Sequence, residues 1–192
     1  MPPYCDQCGG PIDQLRPGRI ARFCSDRCRV AFHRAVIPEL MRKEHRWATY
    51  EWPSMQPRRT DGRPASTTDP STWASYPQVR AWKNKGYMLG GNVGCVDIEH
   101  CLIGNQLHPA VAELLAPLSD KTYIERSPSG TGLHVFGILN EDRGWRRVVD
   151  DGISIELRSR EGFMTVTGQR VSKSSRLHPM RSHFSHLAPV LG

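Results

Sequence analysis

The chain has 192 residues, enough for one substantial hydrophobic core with a small appended module. A mean hydropathy of −0.50 and the lack of any apolar run of bilayer length argue against an integral membrane protein, and the N-terminus has no signal-peptide pattern. The expectation is therefore a cytoplasmic protein without a membrane partner. A net charge of +7 and a pI near 9.3 favour a polyanionic partner, most simply nucleic acid.

Four cysteines near the start have the spacing of a metal site. They follow the pattern C-x2-C-x15-C-x3-C, at Cys5, Cys8, Cys24 and Cys28. Four thiolates fill a closed tetrahedral site, so the pattern predicts structural Zn²⁺, with unligated reduced cysteines as the alternative. The second pair runs into a predicted helix at 25–35 with Ser25 as N-cap, the order typical of a treble-clef or zinc-ribbon finger.

Basic residues follow the second cysteine pair. Arg27, Arg29 and Arg34 form either a solvated helix face or a surface that contacts nucleic acid. We place a domain boundary at about residue 45, so that the finger with its basic helix covers 1–45. The proline-rich stretch that follows predicts extended loops, in which Arg58 and Arg59 are either loop charges or phosphate contacts.

The next predicted elements are a helix, a strand and a second, acidic strand. Asp69 as N-cap and Pro70 at the first helical position predict a helix to about Lys85, and a strand follows at 87–89. In the stretch 93–100, apolar residues alternate with Asp97 and Glu99, which predicts a strand with one acidic face. Carboxylates about 6–7 Å apart on one strand face suit a divalent cation bound by oxygens, although they could instead simply face water.

A glycine-rich loop is the second candidate site. An amphipathic helix at 109–118 and a strand at 122–126 precede it. The loop spans 127–132 and leads into a strand, 133–138, that presents His134 outward. Small residues allow backbone N–H groups to approach an anion, which suits a triphosphate; the alternative is a hairpin turn with an incidental exposed histidine.

A third strand, at 152–158, carries Glu156 on its polar face. The stretch 163–168 is predicted to be its hairpin partner, and the tail, 173–192, has no assigned role. If the three strands share one sheet, three carboxylates and a histidine converge beside a phosphate-binding loop. That arrangement fits two-metal nucleotidyl transfer.

The order of an Asp-x-Asp/Glu strand, a strand of the Ser-x-His type and a further acidic strand resembles the archaeo-eukaryotic primase superfamily, and within it the phage and plasmid primase-polymerase domains. The similarity covers about 46–172, and the matching stretches are 66–73, 95–102, 127–134, 155–156 and 163–168. One departure is Glu99, where these phage relatives more commonly have aspartate.

The resemblance implies an α+β fold, in which an RRM-like antiparallel catalytic sheet has an αβ unit beside it. It implies Mg²⁺ or Mn²⁺ on Asp97, Glu99 and Glu156, and contact between His134 and the phosphates of an incoming nucleotide. The residues expected to line that nucleotide are Ser127, Ser129, Gly130, Thr131 and Gly132, with Thr165 and Thr167 nearby.

The implied function is a template-dependent nucleotidyltransferase that makes or extends short primers on single-stranded DNA from NTPs or dNTPs. Its setting would be phage or plasmid replication in the host cytoplasm, with a replicative helicase as a candidate partner. Two alternatives stay open, a metal-dependent nuclease and a non-catalytic zinc-finger protein that binds DNA. The loop at 127–132 argues against the nuclease, which needs no triphosphate site.

Overall fold

The structure is a computed structural model, and it describes residues 5, 11–12, 21, 23–34, 37–104, 106–140, 144–149 and 152–187. The chain divides into two compact units, Met1–Val36 and Ile37–Gly192. The division falls after Val36, whereas the sequence suggested a boundary at about residue 45. None of the helices in these ranges has the length and apolar character needed to cross a lipid bilayer.

In the first unit, the predicted helix is present as α1, Asp26–Arg34. Ser25 is its N-cap, as expected, because its Oγ accepts a hydrogen bond of 3.2 Å from the backbone N–H of Cys28. This cap fixes the start of α1 between the two cysteines of the second pair.

The second unit is built from two antiparallel sheets, a two-stranded ribbon and short helices. Its elements in chain order are α2 Glu39–Lys43, β1 Trp47–Glu51, β2 Gln56–Arg58, a 3-10 turn Pro70–Thr72, α3 Tyr76–Val79, β3 Lys85–Met88, β4 Val93–Glu99, β5 Leu102–Ile103, β6 Gln106–Leu107, α4 Pro109–Leu115 with a 3-10 turn Ala116–Leu118, β7 Tyr123–Arg126, β8 Leu133–Ile138, β9 Trp145–Val148, β10 Ser154–Arg158, β11 Phe163–Thr165 and α5 Arg181–Phe184 with a 3-10 turn Ser185–Leu187. This α+β architecture with antiparallel sheets agrees with the expected fold class.

The five-stranded sheet has the order β7-β8-β4-β10-β9, with every neighbouring pair antiparallel. One face is apolar because Val96, Ile98 and their neighbours alternate with polar residues along the strands. This face packs against α4 and α5 in a core that includes Val111, Leu115 and Phe184. The period-two pattern of β4 and the helical pattern of α4 therefore meet in one core.

The opposite face of this sheet is covered over only part of its length. The four-stranded sheet, β11-β3-β1-β2, packs there through Trp47 and Tyr87, which share a core with Cys95 and Phe136. Asp97 and Glu99 continue along the same face of β4 and lie outside this core. The packing thus leaves the acidic end of β4 available for polar chemistry.

The predicted helix from Pro70 to about Lys85 is wrong. Asp69 does cap a turn, since its Oδ1 accepts from Ser71 N at 2.9 Å, but the turn ends after Thr72. Ala74 then pairs with β1, because the backbone N–H groups of Trp47 and Ala74 each donate to the other residue's carbonyl, at 2.9 and 2.6 Å. Two short helical turns replace one long helix because the backbone between them is hydrogen-bonded to β1.

The predicted hairpin between 152–158 and 163–168 is also wrong. β10 pairs with β4 and β9, whereas β11 pairs with β3 in the other sheet. The chain after β10 crosses from one sheet to the other, a change that alternation of side chains cannot reveal. Strands β1, β2 and β9 were missed; the first two lie at or within the stretch read as loops.

The tail contributes to the core of the second unit. Met180 and Phe184 are fully buried, and the backbone N–H of Met180 donates to Ile138 O at 3.2 Å. Residues after 172, to which the sequence assigned no role, therefore close the apolar face of the five-stranded sheet.

We expect Phe184→Ala to lower the free energy of unfolding of the second unit by about 3–5 kcal/mol, because it leaves a cavity in a well-packed core. Urea unfolding followed by tryptophan fluorescence measures this change. The matched control is Ile103→Ala, at a side chain that is 76% exposed. Equal midpoints for the two variants would show that α5 does not cover the core.

Candidate functional site

One residue from each strand of the five-stranded sheet lines up in a single row. The ladder pairs Glu125 with His134, His134 with Asp97, Asp97 with Glu156, and Glu156 with Arg146. Directly paired residues share a face of the sheet, so all five side chains start from the same surface. The condition stated in the sequence analysis, that the three strands share one sheet, is met, and Asp97, His134 and Glu156 lie on one face of it.

Asp97 stands at the centre of this row, and its side chain is 21% exposed. Burial raises the pKa of Asp97, and the charges of Glu99 and Glu156 raise it further, while His134 acts in the opposite direction. His134 Nε2 lies 3.7 Å from Asp97 Oδ1. The site thus concentrates negative charge where water screens it poorly, which is the condition that favours cation binding.

The other two acids are paired with basic or hydroxyl groups. Glu99 Oε2 accepts from Ser154 Oγ at 2.8 Å and from Arg146 Nη2 at 3.0 Å. Glu156 Oε1 accepts from Arg158 Nε at 2.6 Å. Within the described ranges, no three carboxylates close on a common point within 4.8 Å.

The donor set nevertheless fits a hard divalent cation. Asp97 and Glu156 face each other across one step of the ladder, and their oxygens are the ligand type that Mg²⁺ and Mn²⁺ prefer. Glu99 would join them only by leaving Arg146 and Ser154.

His134 is buried, with a side chain only 4% exposed, so the prediction that the strand presents it outward is wrong. Residues 127–132 do connect an antiparallel pair, β7 and β8, as the hairpin alternative expected. His134 Nδ1 lies 3.5 Å from Glu125 Oε1. Burial alone lowers the pKa of His134, but the neighbouring Glu125 and Asp97 outweigh this, and the net direction is upward. The imidazole therefore lies between two carboxylates.

Glu125 was missed by the sequence analysis, although an acid on the same strand face as Tyr123 was a usable signal. It is fully buried and accepts hydrogen bonds from Tyr123 Oη at 2.7 Å, Thr167 N at 2.9 Å and Gly168 N at 2.8 Å. Three donors hold the carboxylate in one orientation beside His134. Glu125 thus ties β7 to the segment that follows β11.

The glycine-rich loop lies at the Glu99 end of β4. A Cβ on Gly132 would come within 2.7 Å of Ile98 O, so only glycine allows this close approach. The backbone N–H groups of Gly130 and Gly132 donate inside the loop, to Ser127 O at 3.0 Å and Ser127 Oγ at 3.2 Å. The expected cradle of outward amides is therefore not what these two groups form.

The loop offers hydroxyl groups instead. Ser129 Oγ lies 3.0 Å from Ser127 Oγ and 3.1 Å from Thr131 Oγ1, which makes a chain of three hydroxyls. Ser129 and Thr131 are exposed, whereas Ser127 is buried. Hydroxyl groups can rotate to donate to an anion, so the loop retains phosphate-binding capacity through its side chains.

Thr165 and Thr167 lie close to the histidine, with structural roles. The Thr165 backbone contributes to the raised pKa of His134. Thr167 Oγ1 donates to Arg126 O at 2.7 Å. Lys85 lies on β3 and was not predicted as a site residue. Burial lowers the pKa of Lys85, and nearby Glu125 opposes that shift. It adds a cationic group to this side of the site.

A pocket of about 320 Å³ opens on the other side of Glu156, between β9 and β10. It is lined by Gly144, Trp145, Arg146, Glu156, Arg158, Ser159 and Arg160. Three guanidinium groups against one carboxylate make its lining net positive. Nothing in the sequence pattern marked this pocket, because β9 itself was not predicted.

The remaining predicted arginines are distributed over both units. In the first unit, Arg27 is exposed and Arg29 pairs with Asp26 at 3.1 Å, while Arg34 lies at the end of α1. In the second unit, Arg58 pairs with Glu51 at 2.6 Å, and Arg59 lies 3.7 Å from Asp61. Each of the three paired residues carries an acidic neighbour that a phosphate would have to displace.

The cysteine cluster is the candidate metal centre of the first unit. Ligand atoms of Cys5, Cys24 and Cys28 all lie within 4.8 Å of one another, with the last two sulfurs 3.5 Å apart. Sulfurs at the corners of a zinc tetrahedron lie about 3.8 Å apart, so the spacing fits a metal ion. Cys8, the predicted fourth ligand, is outside the described residues.

Comparison with known proteins finds a viral relative. The chain is 31% identical over 121 residues to a DNA primase-polymerase of Nitratiruptor phage NrS-1. The match takes in 57% of this chain and 17% of the phage protein, so the chain corresponds to a small part of that protein's length. No family model matches the chain. The relationship to a phage primase-polymerase agrees with the resemblance seen in the motifs.

We expect Glu125→Gln to destabilise the second unit by about 1–3 kcal/mol, because an amide has one acceptor atom and leaves at least one backbone donor unpaired. Urea unfolding measures the loss. Glu113→Gln, at an exposed position on α4, is the matched control and should change little. If both variants unfold at the same urea concentration, Glu125 does not anchor the segment after β11.

Metal removal should act on the first unit alone. A small unit held by thiolate ligands depends on its ion, so a chelator should open α1 to trypsin at Arg27 and Arg29. The second unit should keep its far-ultraviolet circular dichroism. Cys24→Ser should reproduce the cleavage without a chelator and lower the zinc content measured by atomic emission. Full zinc content in Cys24→Ser would contradict a cysteine site.

Proposed function

We propose that the chain is a template-dependent nucleotidyltransferase that makes or extends primers on single-stranded DNA from nucleoside triphosphates. The five-stranded sheet would then be the RRM-like catalytic sheet of a primase-polymerase, and the first unit a zinc finger of the treble-clef or ribbon type. As a phage-type replication protein it would act in the host cytoplasm.

The observation that carries this proposal is the row of residues across the sheet. In it Asp97 is paired with Glu156 on one side and with His134 on the other, and the hydroxyl-bearing loop leads into the strand that carries His134. Acids alone are common on sheets, and so are glycine turns. Their occurrence on the adjacent strands β8, β4 and β10 of one sheet, in a relative of a phage primase-polymerase, is what favours polymerisation.

In this proposal Asp97 and Glu156 would hold Mg²⁺ or Mn²⁺, and Glu99 would be a further ligand once released from Arg146 and Ser154. The bound ions supply charge neutralisation at the attacking hydroxyl and at the leaving pyrophosphate. The chain's own residues position the substrate. His134 Nε2 donates to a phosphate oxygen, and the hydroxyls of Ser129 and Thr131 donate to others.

Glu125 has a supporting role in the same scheme. Its carboxylate is held by two backbone N–H groups and Tyr123, with Oε1 3.5 Å from His134 Nδ1. In this proposal the negative charge of Glu125 favours the orientation of His134 in which Nε2 faces Asp97. Because phosphoryl transfer asks little covalent chemistry of the protein, such positioning carries much of the rate. The arginines of α1 would grip the template backbone.

The test is extension of a labelled template-primer with Mn²⁺ and nucleotides. Asp97→Asn removes a metal ligand with almost no change in size and should lower synthesis at least about 1,000-fold, since metal stabilisation contributes several kcal/mol. Asp120→Asn is the matched control, because that carboxylate is exposed and pairs only with Lys173 at 3.4 Å among the described residues. It should retain full synthesis.

Other outcomes separate the competing functions. A nuclease would shorten the labelled strand, and a DNA-binding finger protein would shift it in a gel without any change in length. Equal synthesis by Asp97→Asn and Asp120→Asn would overturn the proposed site.

A further inference from the structure

Two arginines neutralise the acids that a divalent cation would need. Arg146 Nη2 donates to Glu99 Oε2 at 3.0 Å, and Arg158 Nε donates to Glu156 Oε1 at 2.6 Å. Both arginines also line the pocket between β9 and β10, together with Arg160. The same guanidinium groups therefore belong to the acidic row and to a basic pocket beside it.

These ion pairs are of the kind that a ligand can replace. Arg146 and Glu99 have side chains that are 58% and 46% exposed, so water screens the attraction between them. A hard cation with several oxygen ligands competes strongly for such a carboxylate. When a cation takes the carboxylate, the guanidinium loses its partner and becomes available to another anion.

The released groups match a phosphate. Guanidinium presents paired N–H donors in a plane and binds phosphate oxygens in a bidentate manner. The pocket has a volume of about 320 Å³, and three arginines and one glutamate are among the residues that line it. Once Glu156 is bound to a cation, little negative charge is left in this lining.

The order of the strands separates this pocket from the nucleotide side of the site. The hydroxyl-bearing loop and His134 lie on β8 and the segment before it, on one side of β4. The pocket lies on the other side, at β10 and the edge strand β9. An incoming triphosphate on the His134 side leaves the arginine side for the nucleic-acid strand.

We infer that the pocket formed by Arg146, Arg158 and Arg160 binds a backbone phosphate of the nucleic-acid strand, and that it does so when divalent cations displace Arg146 and Arg158 from Glu99 and Glu156. The inference rests on the proposed function in one respect, the binding of cations by these acids. Cation binding and strand binding then strengthen each other through the exchange of ion pairs.

The first measurement is binding of a short fluorescein-labelled oligothymidine by fluorescence anisotropy, with and without Mn²⁺ at equal ionic strength and without nucleotide. Mn²⁺ should tighten binding by the wild-type chain. In Arg146→Gln/Arg158→Gln that gain should disappear, and affinity in Mn²⁺ should fall at least about tenfold, the effect of losing a charged contact. The slope of log affinity against log salt should fall by about 1.4 for two lost contacts.

Arg147→Gln is the matched control. Arg147 lies on the same strand, is exposed, and pairs with Ile155, so it belongs to the other face of the sheet. It should keep the Mn²⁺-dependent gain. If the double variant and Arg147→Gln bind the oligonucleotide equally in Mn²⁺, the inference is overturned. Loss of nucleotide binding by the double variant with unchanged strand binding would overturn it too, in favour of a triphosphate site.

The second measurement is Mn²⁺ affinity without DNA, read from the electron paramagnetic resonance signal of free Mn²⁺. Removal of a competing positive charge should tighten Mn²⁺ binding by Arg158→Gln about fivefold. Unchanged or weaker Mn²⁺ binding in that variant would show that the arginines do not compete with the cations for the carboxylates.

Neither readout needs synthesis, so the inference and the proposed function can fail separately. A wild-type chain that makes no product yet shows Mn²⁺-dependent strand binding through Arg146 and Arg158 would lose the polymerising function and keep the pocket. If Asp97→Asn abolishes synthesis and the double substitution leaves strand binding unchanged, the polymerising function stands and the inferred pocket does not.

Discussion

Backbone pairing places Asp97 and Glu156 directly opposite each other on neighbouring strands, and this pair of acidic residues shapes the polar face of the sheet. The two residues cannot separate without a slip in register, which would turn every side chain of β10 to the opposite face. The residues on either side of Asp97 and Glu156 reduce the free-energy cost of placing two acidic side chains next to each other. His134 and the buried Glu125 extend the row on one side, and Arg146 ends it on the other, so Asp97–Glu156 is its one step between charges of like sign.

The fold gives this row its two environments. Toward β7 and β8, Glu125 and His134 are buried, and the segment after β11 holds the Glu125 carboxylate through two backbone N–H groups. Toward β9 and β10, the sheet edge is open and its arginines are exposed. In the proposed function, the buried half at β7 and β8 would hold the nucleotide phosphates in one geometry. The open, basic half at β9 and β10 would bind a nucleic-acid strand that must move after each step.

The parts of this arrangement that depend on local pattern could be predicted from the sequence. Alternation identified β4 and β10, and helical spacing identified α4, because each buries one face. Long-range pairing could not be predicted. Ala74 pairs with Trp47 of β1, and β11 pairs with β3 instead of β10. β9 carries Arg146 and Arg147 and shows little of the hydrophobic alternation that would mark a strand. Glu125 and the arginine pocket were missed for the same reason, since their roles arise from register between distant strands.

The most direct measurement is a crystal structure with Mn²⁺ and a non-reacting nucleoside triphosphate analogue, with anomalous scattering recorded at the manganese edge. The account predicts anomalous density between the carboxylates of Asp97 and Glu156, with a phosphate oxygen within hydrogen-bonding distance of His134 Nε2. Manganese bound elsewhere, with Glu156 still paired to Arg158 and the analogue away from residues 127–134, would contradict it.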